Sequence, residues 1–136
     1  MAPAEQQILS LFASRETHVQ DAKPTWTYPG RLAETWRRMA ESLGLPSRTS
    51  HPEQCERDAH TFASSVPMWP AFPDSHQALL DLQGQCKLVL LSNVDNASFA
   101  GSNARLGVTF DAILTAQDIG SYKPDVRNFH VLLEQA

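Results

Sequence analysis

Long apolar runs are missing from this chain of 136 residues. The longest, Leu88 to Leu91, falls far short of the roughly 20 residues that a membrane-spanning helix needs. Cysteine is scarce: Cys55 and Cys86 stand in no Cys-x-x-Cys or Cys/His ligand spacing, so neither a disulfide framework nor a zinc site is indicated. Basic charge is short too. Lys plus Arg number 11 against 15 Asp plus Glu, a net charge of −4, and no basic stripe could neutralise phosphates, which argues against a nucleic-acid binder. Met1 to Leu11 lack the basic n-region and continuous apolar h-region of a signal peptide. No Gly-rich phosphate loop and no Gly-x-Ser-x-Gly elbow occur, and His18, His51, His60, His76 and His130 are scattered without metal spacing. Charged residues at 19% and hydrophobic residues at 42% fit a globular chain, expected to be cytoplasmic, with no membrane and no nucleic-acid partner.

What is present falls into two halves. Ile8, Leu9, Leu11 and Phe12 form one short apolar face, followed by the polar stretch Arg15 to Gln20. Leu32, Trp36, Met39 and Leu43 recur at helical spacing, with Gly44 and Pro46 as the stop. Ser50 and Glu53, with Pro52 in the first turn, predict a capping box opening a third helix whose face is Cys55, Ala59, Phe62 and Ala63. Residues 1–66 therefore predict a helical subdomain. From Val66 to Pro73, three prolines and two aromatics predict an extended linker packed against the protein, since Trp69 and Phe72 would be costly to expose.

Residues 67–136 alternate. Asp74 and Gln77 predict a second capping box, opening a short helix with Leu79, Leu80 and Leu82 that stops at Gly84. Lys87 to Leu91 reads as a parallel strand buried on both faces. A helix from Asp95 to Leu106, a strand from Phe110 to Leu114, and a helix with Val126, Phe129, Leu132 and Leu133 follow. That order predicts an α/β layer with a parallel sheet and right-handed crossovers.

In such sheets ligands sit beyond the carboxyl ends of the strands. Ser92-Asn93 lies there, with a hydroxyl, an amide and the backbone N–H groups of a helix start for an anion. The same residues, with Asp95, would also serve as plain helix caps. Lys123-Pro124-Asp125 is the second such place. A lysine at a helix start opposes the helix dipole, which suits a cation facing an anion in the same crevice, or an ordinary exposed lysine. Asp111 and Asp118 flank the second strand, two acids without a third partner for magnesium.

The order of these motifs resembles the haloacid dehalogenase (HAD) superfamily. Leu91-Ser92-Asn93 resembles its motif II, and Tyr122-Lys123-Pro124-Asp125 its motif III. Trp69 to Ser75, Leu91 to Phe99 and Thr115 to Pro124 resemble the type II 2-haloacid dehalogenase-like branch, and the helical first half is similar to that branch's cap. The resemblance implies a partial HAD-like Rossmannoid sheet with an N-terminal helical cap. It implies a hydrolase in which an Asp nucleophile forms an ester intermediate that water cleaves. By position, Ser92 would hold the anionic group, Asn93 would orient substrate, and Lys123 would stabilise transition-state charge as a catalytic residue beside Ser92.

The implied substrate is a small anion such as a 2-haloacid or a phosphate ester. No metal ligand and no cofactor are implied, magnesium entering only where further acidic motifs complete the site, and the resemblance allows a homodimer. The chain departs from the pattern at Val94-Asp95, where Gly-Ser is common, and at Phe129, where Tyr is usual. No Asp-x-x-Gly-Thr motif precedes the helices, and no acidic motif IV follows the last one. The expectation is a hydrolase-like chain lacking its nucleophile strand and inactive as it stands, as in a partial gene, a truncated paralogue or half of a complementing pair. The alternative is a non-catalytic anion-binding or interaction module. In either case the strand Lys87 to Leu91 would have a bare edge.

Overall fold

A computed structural model describes residues 5–23 and 25–135. The residues read for a signal peptide at positions 1–4, and the final Ala136, lie outside these. The chain divides after Ser65 into two compact units. The first holds α1 (Glu5–Ala22), α2 (Tyr28–Leu43) and α3 (Pro52–Ala63), with α2 packed on both others. Thr27 caps α2 through its hydroxyl, which accepts from Gly30 N, and Gly44 ends the helix at φ 66°, a left-handed turn that glycine takes without steric cost. The core is Val19, Leu32, Met39, Ala40, Cys55, Ala59 and Ala63.

Two expectations for this unit are corrected. Ile8 and Leu9 are exposed, whereas the polar stretch Arg15 to Gln20 contains the only buried residue of α1, Val19. The cause lies on α2: Arg31 is fully buried and donates to Glu16 Oε1 at 2.6 Å and to Gln20 Oε1, so those polar residues must face inward. The capping box at Ser50 does not form. His51 stands at the N-cap without a side-chain bond, and Ser50 Oγ accepts from Ser47 N at 3.1 Å instead.

Glu34, also buried on α2, takes hydrogen bonds from Arg38 and Arg48. Burial pushes its carboxyl up, but the two guanidinium groups outweigh that and hold it below the usual range. One turn from Arg31, Thr35 is fully buried and its hydroxyl finds no hydrogen-bond partner. Thr35→Val keeps the shape and removes the unmet hydroxyl, so it should stabilise the chain by about 1 kcal/mol. Chemical denaturation read by circular dichroism measures this, and a lower midpoint in the variant refutes it.

The second unit contains a 3-10 turn (Val66–Met68), α4 (Ser75–Gln83), β1 (Val89–Ser92), α5 (Asn96–Leu106), β2 (Ala112–Thr115), α6 (Ala116–Ile119) and α7 (Val126–Gln135). The strands are adjacent and parallel, with Val89 opposite Ala112 and Ser92 opposite Thr115. Both begin two residues later than the strands expected from Lys87 and Phe110. Ahead of the ladder, Leu88 N donates to Asp111 Oδ2 at 2.7 Å, and Asp111 N donates to Leu88 O at 2.8 Å. That local pair replaces the first rungs and spends the Asp111 carboxylate on backbone. Asp95 caps α5, its Oδ1 accepting from Ser98 N, and Gly107 closes the helix at φ 64°.

Three further expectations fail here. β1 is half-buried along its length, not buried on both faces, because among the described residues the sheet has two strands and each keeps a bare edge. Trp69 and Phe72 are 40% and 81% exposed. Trp69 N closes the 3-10 turn on Val66 O at 3.1 Å, and Phe72 O accepts from Ser75 N at 3.1 Å across a turn through Pro73, which leaves both rings at the surface. Asp74 precedes α4 but has helical backbone angles and no capping bond, and Gln77 donates to Asp81 instead.

Candidate active site

Because β1 and β2 are parallel and in register, Ser92 and Thr115 end them on the same edge of the sheet. The loops that leave this edge carry the residues singled out from the sequence. Asp95 does the capping of α5 by itself, accepting from Ser98 N at 3.0 Å and from Ser98 Oγ at 2.6 Å. Asn93 is not a cap. Its amide grips the backbone of Lys123 from both sides, Nδ2 donating to Lys123 O at 3.0 Å and Oδ1 accepting from Lys123 N at 2.7 Å.

Lys123 is half-buried, and its Nζ donates to Leu91 O at 2.8 Å. That carbonyl is one peptide bond from Ser92, so covalent geometry puts Ser92 N within about 5 Å of the ammonium. Lys123 is thus no ordinary exposed lysine at a helix start: it reaches across to the end of β1. The backbone at Ser92, the Asn93 amide and the Lys123 ammonium thus stand at one end of the strand pair.

Several residues that hold this arrangement were not singled out from sequence. Asn128, almost fully buried on α7, donates from Nδ2 to Ser121 Oγ at 3.0 Å and to Asp125 O at 3.1 Å, gripping the Lys123 loop from its far side. The available signal was an Asn one turn before Leu132 in an otherwise apolar helix stripe. Thr115, fully buried, places its hydroxyl 2.6 Å from Asn96 Oδ1 and 3.0 Å from Asp118 Oδ2, while Asn96 Nδ2 donates to Asp118 Oδ1 at 2.8 Å. Asp118 is therefore occupied by side chains of its own unit. Among the described residues no three His, Cys, Asp or Glu side chains gather to hold a metal ion. No helix among them is long and apolar enough to cross a membrane. An apolar groove of about 560 Å³, lined by Trp36, Leu45, Pro46, Asp58 and Phe62, lies within the helical unit and contains none of the strand-end residues.

No family model and no curated protein matches the sequence. Solved structures do match the fold. An L-2-haloacid dehalogenase from Xanthobacter autotrophicus aligns with 95% of this chain at a TM-score of 0.77 and 20% identity. The chain has the fold of the haloacid dehalogenases. A structure of an L-2-haloacid dehalogenase from the same organism with chloropropionic acid covalently bound aligns with 94% of it, at a TM-score of 0.76 and 19% identity. A defluorinating L-2-haloacid dehalogenase gives 0.77 and 17% over 94%. The shares of those three chains that are covered are 52%, 51% and 53%, so this chain spans about half of the dehalogenase fold. Within that half lie the parallel strand pair and the two loops that bring Lys123 to Ser92.

Proposed function

We propose that the α/β unit carries the anion-holding half of a HAD-type hydrolase site, with Ser92, Asn93 and Lys123 as its working residues. The observation that carries this reading is the Lys123 ammonium on Leu91 O, held there while Asn93 grips the Lys123 backbone. A lysine charge at the carboxyl end of a parallel strand, next to the Ser92 backbone, supports the stabilisation of a small anion there. The substrate class is a 2-haloacid or a phosphate ester. Supporting the first is a similar fold in an enzyme solved with chloropropionic acid covalently bound.

In this reading Ser92 holds the anionic group, Asn93 orients it, and Lys123 offsets charge that builds as an ester forms and breaks. For the attacking carboxylate the 136 residues hold no Asp-x-x-Gly-Thr motif. Without it the remaining groups bind and polarise but do not attack. A cytoplasmic location, which two free cysteines suit, and a homodimer belong to the same reading.

The test has two arms. Titration of the 136-residue chain with 2-chloropropionate and with inorganic phosphate, followed by amide NMR, should move the Ser92 and Asn93 signals, and Lys123→Ala should weaken binding at least tenfold. Equal binding by the variant defeats the assignment of Lys123. Assays with 2-chloropropionate and p-nitrophenyl phosphate should show no turnover, and turnover that vanishes in Lys123→Ala would overturn the claim of inactivity. The non-catalytic alternative is favoured by the missing motif alone. It predicts that a strand bearing Asp-x-x-Gly-Thr, added ahead of the chain, restores no turnover, whereas the hydrolase reading predicts that it does.

A further inference from the structure

We infer that Asn96, Thr115 and Asp118 form a clamp that sets where Lys123 stands relative to Ser92, which makes Asn96 and Asp118 positioning residues of the anion site. This rests on the anion-site reading above and deepens it.

Two loops must keep a fixed spacing for Ser92 and Lys123 to serve one ligand. One runs from Ser92 to the start of α5, the other from Thr115 through α6 to Lys123. Two sets of side-chain hydrogen bonds join them. The far point is the grip of Asn93 on the Lys123 backbone. The near point is the clamp. Asn96, the first residue of α5, donates from its side chain to Asp118 and from its backbone N to Gln117 Oε1 at 3.0 Å. Thr115 ties both to the end of β2, its hydroxyl also accepting from Asp118 N at 3.2 Å. Ala116 and Ile119 bury the inner face of α6, and Gly120 turns the chain at φ 70°, three residues before Lys123. The position of Lys123 is therefore referred to β2 and α5 through so short a tether that loss of the near point must be felt at the far one.

Counting protons makes the clamp specific. The single hydroxyl proton of Thr115 faces two acceptors, Asn96 Oδ1 at 2.6 Å and Asp118 Oδ2 at 3.0 Å, and can serve only one. An amide in place of the carboxylate completes the ring: its NH2 donates to Thr115 Oγ, Thr115 donates to Asn96, and Asn96 donates to the new carbonyl. Asp118→Asn should thus keep the clamp and Asp118→Ala should destroy it. Both remove the same negative charge, whose loss by itself favours an anion. The difference between them reports the hydrogen bonds alone.

The experiment measures binding of 2-chloropropionate and inorganic phosphate to the 136-residue chain and its variants, with the Asn93 side-chain amide followed in the same NMR spectra. Asp118→Asn should bind within about threefold of the parent and leave the Asn93 amide signal in place. Asp118→Ala should bind at least tenfold more weakly and shift that signal towards its position in an unstructured chain. Asp118→Ala that binds as tightly as Asp118→Asn overturns the clamp. Where the parent binds neither anion, the site reading fails, and the Asn93 signal decides the clamp: moved in Ala and restored in Asn supports it, unmoved in Ala overturns it. Asn96→Ala, which opens the clamp from an exposed position, is the second variant where Asp118→Ala does not fold, with the same two outcomes.

Discussion

Glu16→Ala should be the most damaging single change in the helical unit, lowering its stability by about 3 kcal/mol or more. Arg31 is fully buried between α1 and α2, with Glu16 Oε1 2.6 Å from its Nη2. Removing the carboxylate takes a counter-charge and a hydrogen bond from a guanidinium in the core, while the cost of desolvating that charge remains. The Glu16 side chain is 24% exposed, so some water can reach the gap, which puts the effect at the lower end of the range for broken buried pairs. The double variant Glu16→Leu with Arg31→Met removes both charges while keeping volume, and should recover to within about 1 kcal/mol of the parent. Thermal and urea unfolding of the parent, Glu16→Ala and the double variant provide the check. A double variant as unstable as Glu16→Ala would mean that packing, not charge, makes this site sensitive.

Gly101→Ala should destabilise the α/β unit by about 3 kcal/mol, although alanine is the better helix former by about 1 kcal/mol. A Cβ at position 101 would lie 2.4 Å from Pro67 Cβ, 2.6 Å from Pro67 Cα and 2.8 Å from Pro67 O. Two of those atoms are backbone, and the proline ring cannot rotate away, so α5 must part from the Val66–Met68 turn. Arg105 Nε, which donates to Pro67 O at 3.2 Å, would be pulled off with it. Gly84→Ala is the control: its nearest neighbour would be Asp81 O at an ordinary 3.7 Å, and its φ is −72°. That variant should be neutral or slightly stabilising. A Gly101→Ala chain that melts with the Gly84→Ala chain would show that the close approach carries no weight.

Much of this architecture is legible in the sequence wherever a residue acts through its neighbours in the chain. The period of Leu32, Trp36 and Met39 gives α2, Gly44 and Gly107 end helices where left-handed turns are required, and Asp95 caps α5 through Ser98, three residues on. The run Leu88 to Leu91 and the motif order after it lead to a parallel strand pair with Ser92 and Lys123 at one edge. The two capping boxes read at Ser50 and Asp74 fail for the opposite reason. A box is a pattern many sequences carry by chance, and Ser47 and Asp81 are competing partners that the pattern does not include.

What the amino-acid order determined by itself is the succession of helices and strands and the presence of Ser92, Asn93 and Lys123 at their ends, since periodicity, caps and turns act over a few residues. Only the tertiary structure decided that polar Glu16 and Gln20 belong inside, and that Trp69 and Phe72 stay at the surface. It alone joined Asn93 to Lys123 across 30 residues and Asn96 to Asp118 across 22. Those bonds depend on which surfaces meet once the chain folds back. A hydrogen-bonding side chain carries no mark in sequence of the distant partner that will satisfy it.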